Sequence, residues 1–305
     1  MRFPEYPQLS VLIGAILAAW PEHDAFVSKR FANQEPAHMD LVEKLSSMIE
    51  SLCGGKWSML AADYRWTCEM LLEEELHFRR SGGYRYATFA EAAARVYSDP
   101  LLMTRYINGL LVSQVLWANH TGALRFFIET FLDQCRADFR LLEIGPGHGL
   151  FLYFTAMQTN FGHLEAWDIS EASIASTRHA LRRMGVENRL TLKQCDLFDG
   201  EPPKIPFDCA VMSEVLEHLE NPLEALEKIR GVLAPGGHLF INAPCNSPAP
   251  DHIYLFETPE QISDLVAKAG FSVLKTAIFP LTGYTEERAR KAKLTLSCVV
   301  IGKVR

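Results

Sequence analysis

Five short apolar segments recur across residues 139–243: "FRLLEI" (139–144), "HLEAWDI" (163–169), "RLTLKQC" (189–195), "FDCAVM" (207–212) and "HLFINA" (238–243). Amphipathic stretches such as "EASIASTRHALRRM" and "NPLEALEKIRGVL" stand between them. Strand and helix alternating in this way restrict the chain to an α/β architecture with a mostly parallel sheet. "FSVLKTAIF" (271–279) and "LTLSCVVIG" (294–302) read as two further strands, an antiparallel edge pair. The expected class is a Rossmann-like, doubly wound, seven-stranded sheet.

The texture before residue 139 differs. In "HMDLVEKLSSMIESL" the apolar residues Leu41, Val42, Leu45, Met48, Ile49 and Leu52 follow helical spacing, and Gly54-Gly55 ends the element. Thr88 and Glu91 form a capping box, and Asp99-Pro100 opens a long helix carrying Leu102, Tyr106 and Leu110. The expected division is an all-helical N-terminal domain over 1–136, serving as cap and dimerisation element, and an α/β domain over 137–305. "LSVLIGAILAAW" (9–20) is too short to span a bilayer, and only Arg2 precedes it as a charged n-region, so it reads as a buried or partner-facing helix.

The net charge of -7 argues against broad contact with nucleic acid or an anionic membrane. Seven cysteines without a CxxC read as reduced thiols in a cytoplasmic protein.

"LLEIGPGHGL" (141–150) places Gly145, Gly147 and Gly149 directly after the first α/β strand. Glycine lets the backbone turn sharply and approach a ligand, and in open α/β sheets ligands bind beyond the carboxyl ends of the strands. The dinucleotide fingerprint needs its third glycine three places after the second, and Leu150 stands there instead. Glu143 repels pyrophosphate but suits a ligand with a cationic amino group. Asp168 ends the second strand, where an acid accepts from ribose hydroxyls, and Asp196 ends the third, near the place of an adenine amino group.

These motifs, "LEIGPGHG", "WDIS", "CDLF" and "FDCAVMSEVLEHL" in that order, resemble the class I S-adenosylmethionine-dependent methyltransferases over about residues 139–303. The resemblance implies that Glu143, Gly145, Gly147 and Gly149 shape the pocket for the methionine moiety. It implies Asp168 and Ile169 at the ribose, Asp196 and Leu197 at the adenine, and Ser213 facing the methionine part through its backbone.

"SEVLEH" follows the fourth strand, and Glu214, Glu217 and His218 are read as one face of the first turn of a helix. His252 follows the fifth strand at the same mouth. The ExxEH set with a later histidine resembles the ubiquinone-synthesis O-methyltransferases and the small-RNA 2'-O-methyltransferases. That likeness implies Glu214, Glu217, His218 and His252 as ligands to a divalent metal, with Zn, Mn or Fe more comfortable than Mg. The rival reading makes His218 or His252 a general base without a metal, with the acids as structural partners; Glu217, His218 and His252 are the expected catalytic residues.

Other residues carry weaker signals. His120, beside Trp117 and Asn119, either reaches the acceptor pocket or is a hydrogen-bonded core residue, the commoner case. Tyr254 and Phe256 either wall that pocket or pack in the core. Trp57, Tyr64, Trp66, Phe78 and Tyr86 look exposed enough to need a partner surface, in keeping with a homodimer through the helical domain. The expected activity is metal-assisted O-methylation of a small-molecule acceptor in natural-product metabolism. The alternatives are N- or C-methylation of a chelating keto or amino acid, RNA 2'-O-methylation, and cofactor binding without turnover.

Overall fold

The computed structural model describes residues 3–158, 161–199 and 203–305. Arg2, the one charge of the supposed n-region, lies outside the described residues.

Seven helices come first: α1 (Pro7–Ala19), α2 (Asp24–Phe31), α3 (Pro36–Cys53), α4 (Trp57–Ser81), α5 (Phe89–Ala92), α6 (Pro100–Leu116) and α7 (Ala118–Phe126). Their ends follow local chemistry. Gly54 closes α3 in the left-handed conformation, φ 59°. Thr88 and Glu91 make the reciprocal capping box of α5, and Asp99 accepts from the backbone N–H groups of Leu101 and Leu102 at the start of α6. A π-helical turn over Ala93–Tyr97 continues α5 and swings Tyr97 toward the sheet. The apolar run at 9–20 is α1, buried along Leu9, Leu12, Ile13 and Ile16 against α3 and α4. Helices α4 and α6 cross closely because Gly109 has no side chain; a Cβ there would sit 2.5 Å from Thr67 Cβ.

The sheet has strands β1 (Phe139–Ile144), β2 (Phe161–Asp168), β3 (Thr191–Gln194), β4 (Phe207–Ser213), β5 (Leu233–Cys245), β6 (Phe271–Pro280) and β7 (Leu296–Val304). Their spatial order is β3-β2-β1-β4-β5-β7-β6. The first five are parallel, and β7 pairs antiparallel with both β5 and β6. Helices α8 (Leu150–Ala156), α9 (Glu171–Arg183), α10 (Pro222–Val232), α11 (Pro259–Lys268) and α12 (Glu286–Ala292) complete the chain. The order reverses between β1 and β4, so the ends of these strands open the crevice where α/β sheets bind ligands.

One apolar cluster joins the helices to the sheet: Phe127 and Phe131 stack at 5.6 Å and both meet Phe240 of β5, at 5.1 and 5.4 Å. Asn119 Nδ2 donates to Ser297 Oγ of β7 at 3.0 Å. The aromatic residues read as partner-facing are not exposed. Tyr64 and Phe78 are buried, and Trp57, Trp66 and Tyr86 are half-buried. Tyr64 takes hydrogen bonds inside the helical layer, accepting from Trp117 Nε1 at 3.1 Å, and Trp66 lies under the Arg105 guanidinium at 4.3 Å. Helix periodicity hid this, because α4 packs more than one face.

Candidate functional site

The glycine turn leaves β1 at Ile144. Gly145, Gly147 and Gly149 all have positive φ (64°, 50° and 74°), which L side chains rarely adopt. Gly145 N donates to Trp167 O of β2, and Gly147 O accepts from Thr177 Oγ1 of α9 at 2.6 Å. A Cβ on Gly147 would meet nothing within 4 Å, so the loop presents bare backbone to open space. Glu143 sits beneath it, buried, with Oε2 lacking any partner. Burial pushes its carboxyl well above the usual carboxylate range.

Asp168 ends β2 and accepts from Ser170 N at 2.8 Å and Ser173 Oγ at 2.6 Å, which fixes its carboxylate at the start of α9. Ile169 beside it is half exposed, at 53%. Asp196 Oδ1 accepts from Phe198 N at 2.9 Å, while Leu197 is buried. Glu143, Asp168, Asp196 and Ser213 therefore lie at or just past the carboxyl ends of β1, β2, β3 and β4.

The segment after β4 departs from the expected helix. Glu214 has φ 55°, a left-handed backbone that no helical turn contains, and a short 3-10 turn covers Leu216–His218; the α-helix begins only at Pro222. The i, i+3, i+4 face is thus absent. Asn242 of β5 holds this bend: its Nδ2 donates to Ser213 Oγ at 3.0 Å and Glu214 Oε1 at 2.9 Å, and its carbonyl accepts from Glu214 N at 2.8 Å. A strained φ on a non-glycine residue costs about 1–3 kcal/mol and survives where its surroundings impose it. β5 likewise ends on a left-handed residue, Asn246, with φ 46°.

The two bends bring Glu217, His218 and His252 together. One ligand atom from each lies within 4.8 Å of the other two. Glu217 is 0% exposed, and neither carboxylate oxygen has a hydrogen-bond donor. Its backbone carbonyl accepts from Ile253 N and Tyr254 N, both at 2.9 Å, which ties the His252 loop to the β4 turn. His252 Nδ1 lies 2.6 Å from Ser247 O and His218 Nδ1 lies 3.0 Å from Asp251 O. A carbonyl only accepts, so each imidazole carries its proton on Nδ1 and leaves the Nε2 lone pair free. His218 Nε2 is 3.7 Å from Glu217 Oε1.

Burial, then the carboxylates of Glu214 and Asp251, push the Glu217 carboxyl well above its ordinary range. Burial raises Glu214 to about 7, opposed by the Asn242 bond, and lowers His252 to about 4. Three carboxylates, Glu214, Glu217 and Asp251, share this place, and among the described ion pairs none contacts Lys or Arg. Buried like charges of this kind call for a cation or for protonation. Glu214 itself falls outside the three-residue cluster.

Three tyrosines of the helical region reach this site, and nothing in their sequence context marked them. Tyr97 and Tyr106 donate to the two Asp251 carboxylate oxygens, each at 3.2 Å. Tyr84 OH accepts from Ser247 N at 3.1 Å and its ring meets His252 edge to face at 5.8 Å. Asp251 was missed too, although its place beside His252 was a usable signal. His120 has its Nδ1 2.8 Å from Ser113 Oγ and its ring against Trp117, and it is near enough to His148 of the glycine turn to feel its charge. Phe256 is buried in the core, and Tyr254 lines a surface cavity of about 290 Å³ with Leu265 and Lys268 of α11.

Comparison with known proteins accords with this arrangement. A family model described as a methyltransferase domain matches residues 142–239. The ubiquinone biosynthesis O-methyltransferase of Parvibaculum lavamentivorans is 31% identical over 157 residues, 51% of this chain and 59% of that protein. The ubiquinone/menaquinone biosynthesis C-methyltransferase UbiE of Pseudomonas fluorescens is 30% identical over 155 residues, 50% of this chain and 57% of that protein. The chain thus spans under two thirds of the length of these relatives. Among solved structures, the pyocyanin biosynthetic protein PhzM superposes with a TM-score of 0.55 at 15% identity, covering 81% of this chain and 72% of that one. The S-adenosylmethionine-dependent methyltransferase SibL gives 0.52 at 16%, covering 88% and 76%. The fold is that of the class I S-adenosylmethionine-dependent methyltransferases.

Proposed function

We propose that this chain, which carries a methyltransferase domain of that fold, transfers a methyl group from S-adenosylmethionine to an oxygen of a small-molecule acceptor, assisted by a divalent metal. The observation that carries the reading is Glu217: a fully buried carboxylate without a donor, facing two histidines whose Nδ1 protons are already spent on main-chain carbonyls. Two imidazoles and one carboxylate with open positions fit a Zn²⁺, Mn²⁺ or Fe²⁺ site better than an Mg²⁺ site.

The cofactor's sulfonium supplies an already activated methyl group. Glu143 would face its amino group, the backbone of Gly145, Gly147 and Gly149 would admit its methionine part, and Asp168 with Ile169 and Asp196 with Leu197 would border ribose and adenine. Ser213 contributes backbone beside the methionine part. Glu217, His218 and His252 would hold the divalent ion, which would supply a Lewis acid to lower the pKa of an acceptor hydroxyl. The protein's own part is alignment: the acceptor is fixed between the strand ends and the helical layer, in which residues 1–136 serve as a cap. In-line placement of this kind contributes several kcal/mol.

The curated relatives include both O- and C-methyltransferases. C-methylation of a chelating keto acid is the second reading, since the same site stabilises an enolate. Metal content measured after mild purification, with methyl transfer assayed before and after chelation, tests the proposal. Full activity in metal-free protein rejects metal assistance.

A further inference from the structure

We propose that Asp251, gripped by Tyr97 and Tyr106 of the helical region, is a positioning residue that orients His218 toward the divalent ion. The inference rests on the metal reading above. It makes the helical layer part of the site and more than a cover for it.

Asp251 is 5% exposed, and its side chain accepts from two phenols and no base among the described residues: Tyr106 OH at Oδ1 and Tyr97 OH at Oδ2. Its main-chain carbonyl accepts the His218 Nδ1 proton at 3.0 Å, and Oδ2 stands 3.7 Å from the same nitrogen. The Tyr97 hydroxyl is itself 3.4 Å from His218 Nδ1. Carbonyl, carboxylate and phenol therefore surround one edge of the His218 ring and leave the opposite nitrogen toward Glu217.

A buried carboxylate needs donors, and a histidine ring needs a partner that fixes its tautomer and rotation. Asp251 meets both needs at once, but only while both tyrosines are in place. Those tyrosines lie 154 and 145 residues earlier in the chain, on the π-helical turn and on α6. Removing their hydroxyls leaves the packing intact. Asp251 then loses its donors, and its carboxylate is free to swing toward His218 or away from it. Outer partners of metal-binding histidines typically change metal affinity by about 10–100-fold.

The test uses the full chain and Co²⁺, whose visible spectrum reports ligand geometry. The variants are Tyr97→Phe with Tyr106→Phe, and separately Asp251→Asn, which keeps the main-chain carbonyl. The expected result is Co²⁺ binding about 10–100-fold weaker than in the unsubstituted chain, with a shifted d–d band; the double variant, in which buried Asp251 loses both donors, is also expected to melt lower. If the double variant fails to fold, Asp251→Asn alone carries the test. Unaltered Co²⁺ affinity and spectrum in the variants overturn the positioning role while leaving the metal reading intact. A parent chain that binds no Co²⁺ overturns the metal reading, and this inference with it.

Discussion

His218 and His252 meet edge to face, ring centres 4.9 Å apart at 85°, and each turns Nδ1 to a main-chain carbonyl. Both rings thus stand beside Glu217, a buried carboxylate neither of whose oxygens has a donor.

Glu217 is therefore expected to cost the metal-free protein stability. Replacing it by Met, similar in volume and apolar, removes a buried unsatisfied group and is expected to stabilise the metal-free fold by about 1–3 kcal/mol. The same variant is expected to lose the rise in thermal midpoint on adding Zn²⁺ or Mn²⁺. Differential scanning calorimetry with and without metal reads both effects. A destabilised metal-free variant contradicts the expectation.

Glu143→Gln keeps shape and burial but removes the charge offered to the cofactor. Hydrogen bonds to charged groups are worth about 1.5–3 kcal/mol, so binding of S-adenosylhomocysteine is expected to weaken by roughly 10–150-fold. Titration calorimetry decides, and unaltered affinity places the amino group elsewhere.

The structural bonds of Asp168 can be separated from the ribose role proposed for it. Its carboxylate accepts from Ser170 N and Ser173 Oγ. Ser173→Ala is expected to cost about 1 kcal/mol of stability with little change in cofactor affinity, whereas Asp168→Asn weakens cofactor binding more than it lowers the melting point. Equal effects of both substitutions on the cofactor would show that Ser173 also serves the ribose site.

Acid should unfold the protein earlier than its carboxylates alone require. Burial holds His23 at about 4, and burial followed by the Arg30 charge holds His38 at about 4. A histidine with a lowered folded pKa binds its proton more readily when unfolded. Its contribution is complete above about pH 6.5 and is lost as pH falls toward 4, at up to about 1.4 kcal/mol per pH unit. His23→Gln is expected to flatten that limb in denaturant titrations between pH 6.5 and 4. An unaltered slope shows that His23 titrates normally.

Gly109→Ala is expected to destabilise by about 1–3 kcal/mol, because the new methyl group overlaps Thr67. The paired change Gly109→Ala with Thr67→Ala is expected to recover part of that loss in urea melts.

Much of the fold was legible because its signals are local. The strand and helix periods, the capping box of Thr88 and Glu91, the Asp99 cap and the glycine turn each span a few residues. The strand-end positions of Glu143, Asp168 and Asp196 were legible for the same reason: each lies at or just past the end of a strand with a local signal. Helical spacing misled at Glu214, where Asn242 of the neighbouring strand imposes a left-handed backbone and turns the carboxylates away from a shared helix face. It misled again at Tyr64 and Phe78, which a single-face reading left exposed.

The sequence by itself determined a strand-ending glycine turn, an alternating α/β chain behind a helical region, and the chemistry of the residues available at the strand ends. Tertiary structure alone decided which of them meet. Glu217, His218 and His252 converge because two strand ends bend through left-handed residues, and Asp251 acquires Tyr97 and Tyr106 from a layer 145 to 154 residues away. Contacts at that separation follow from packing of the whole core, and no local pattern of residues encodes them.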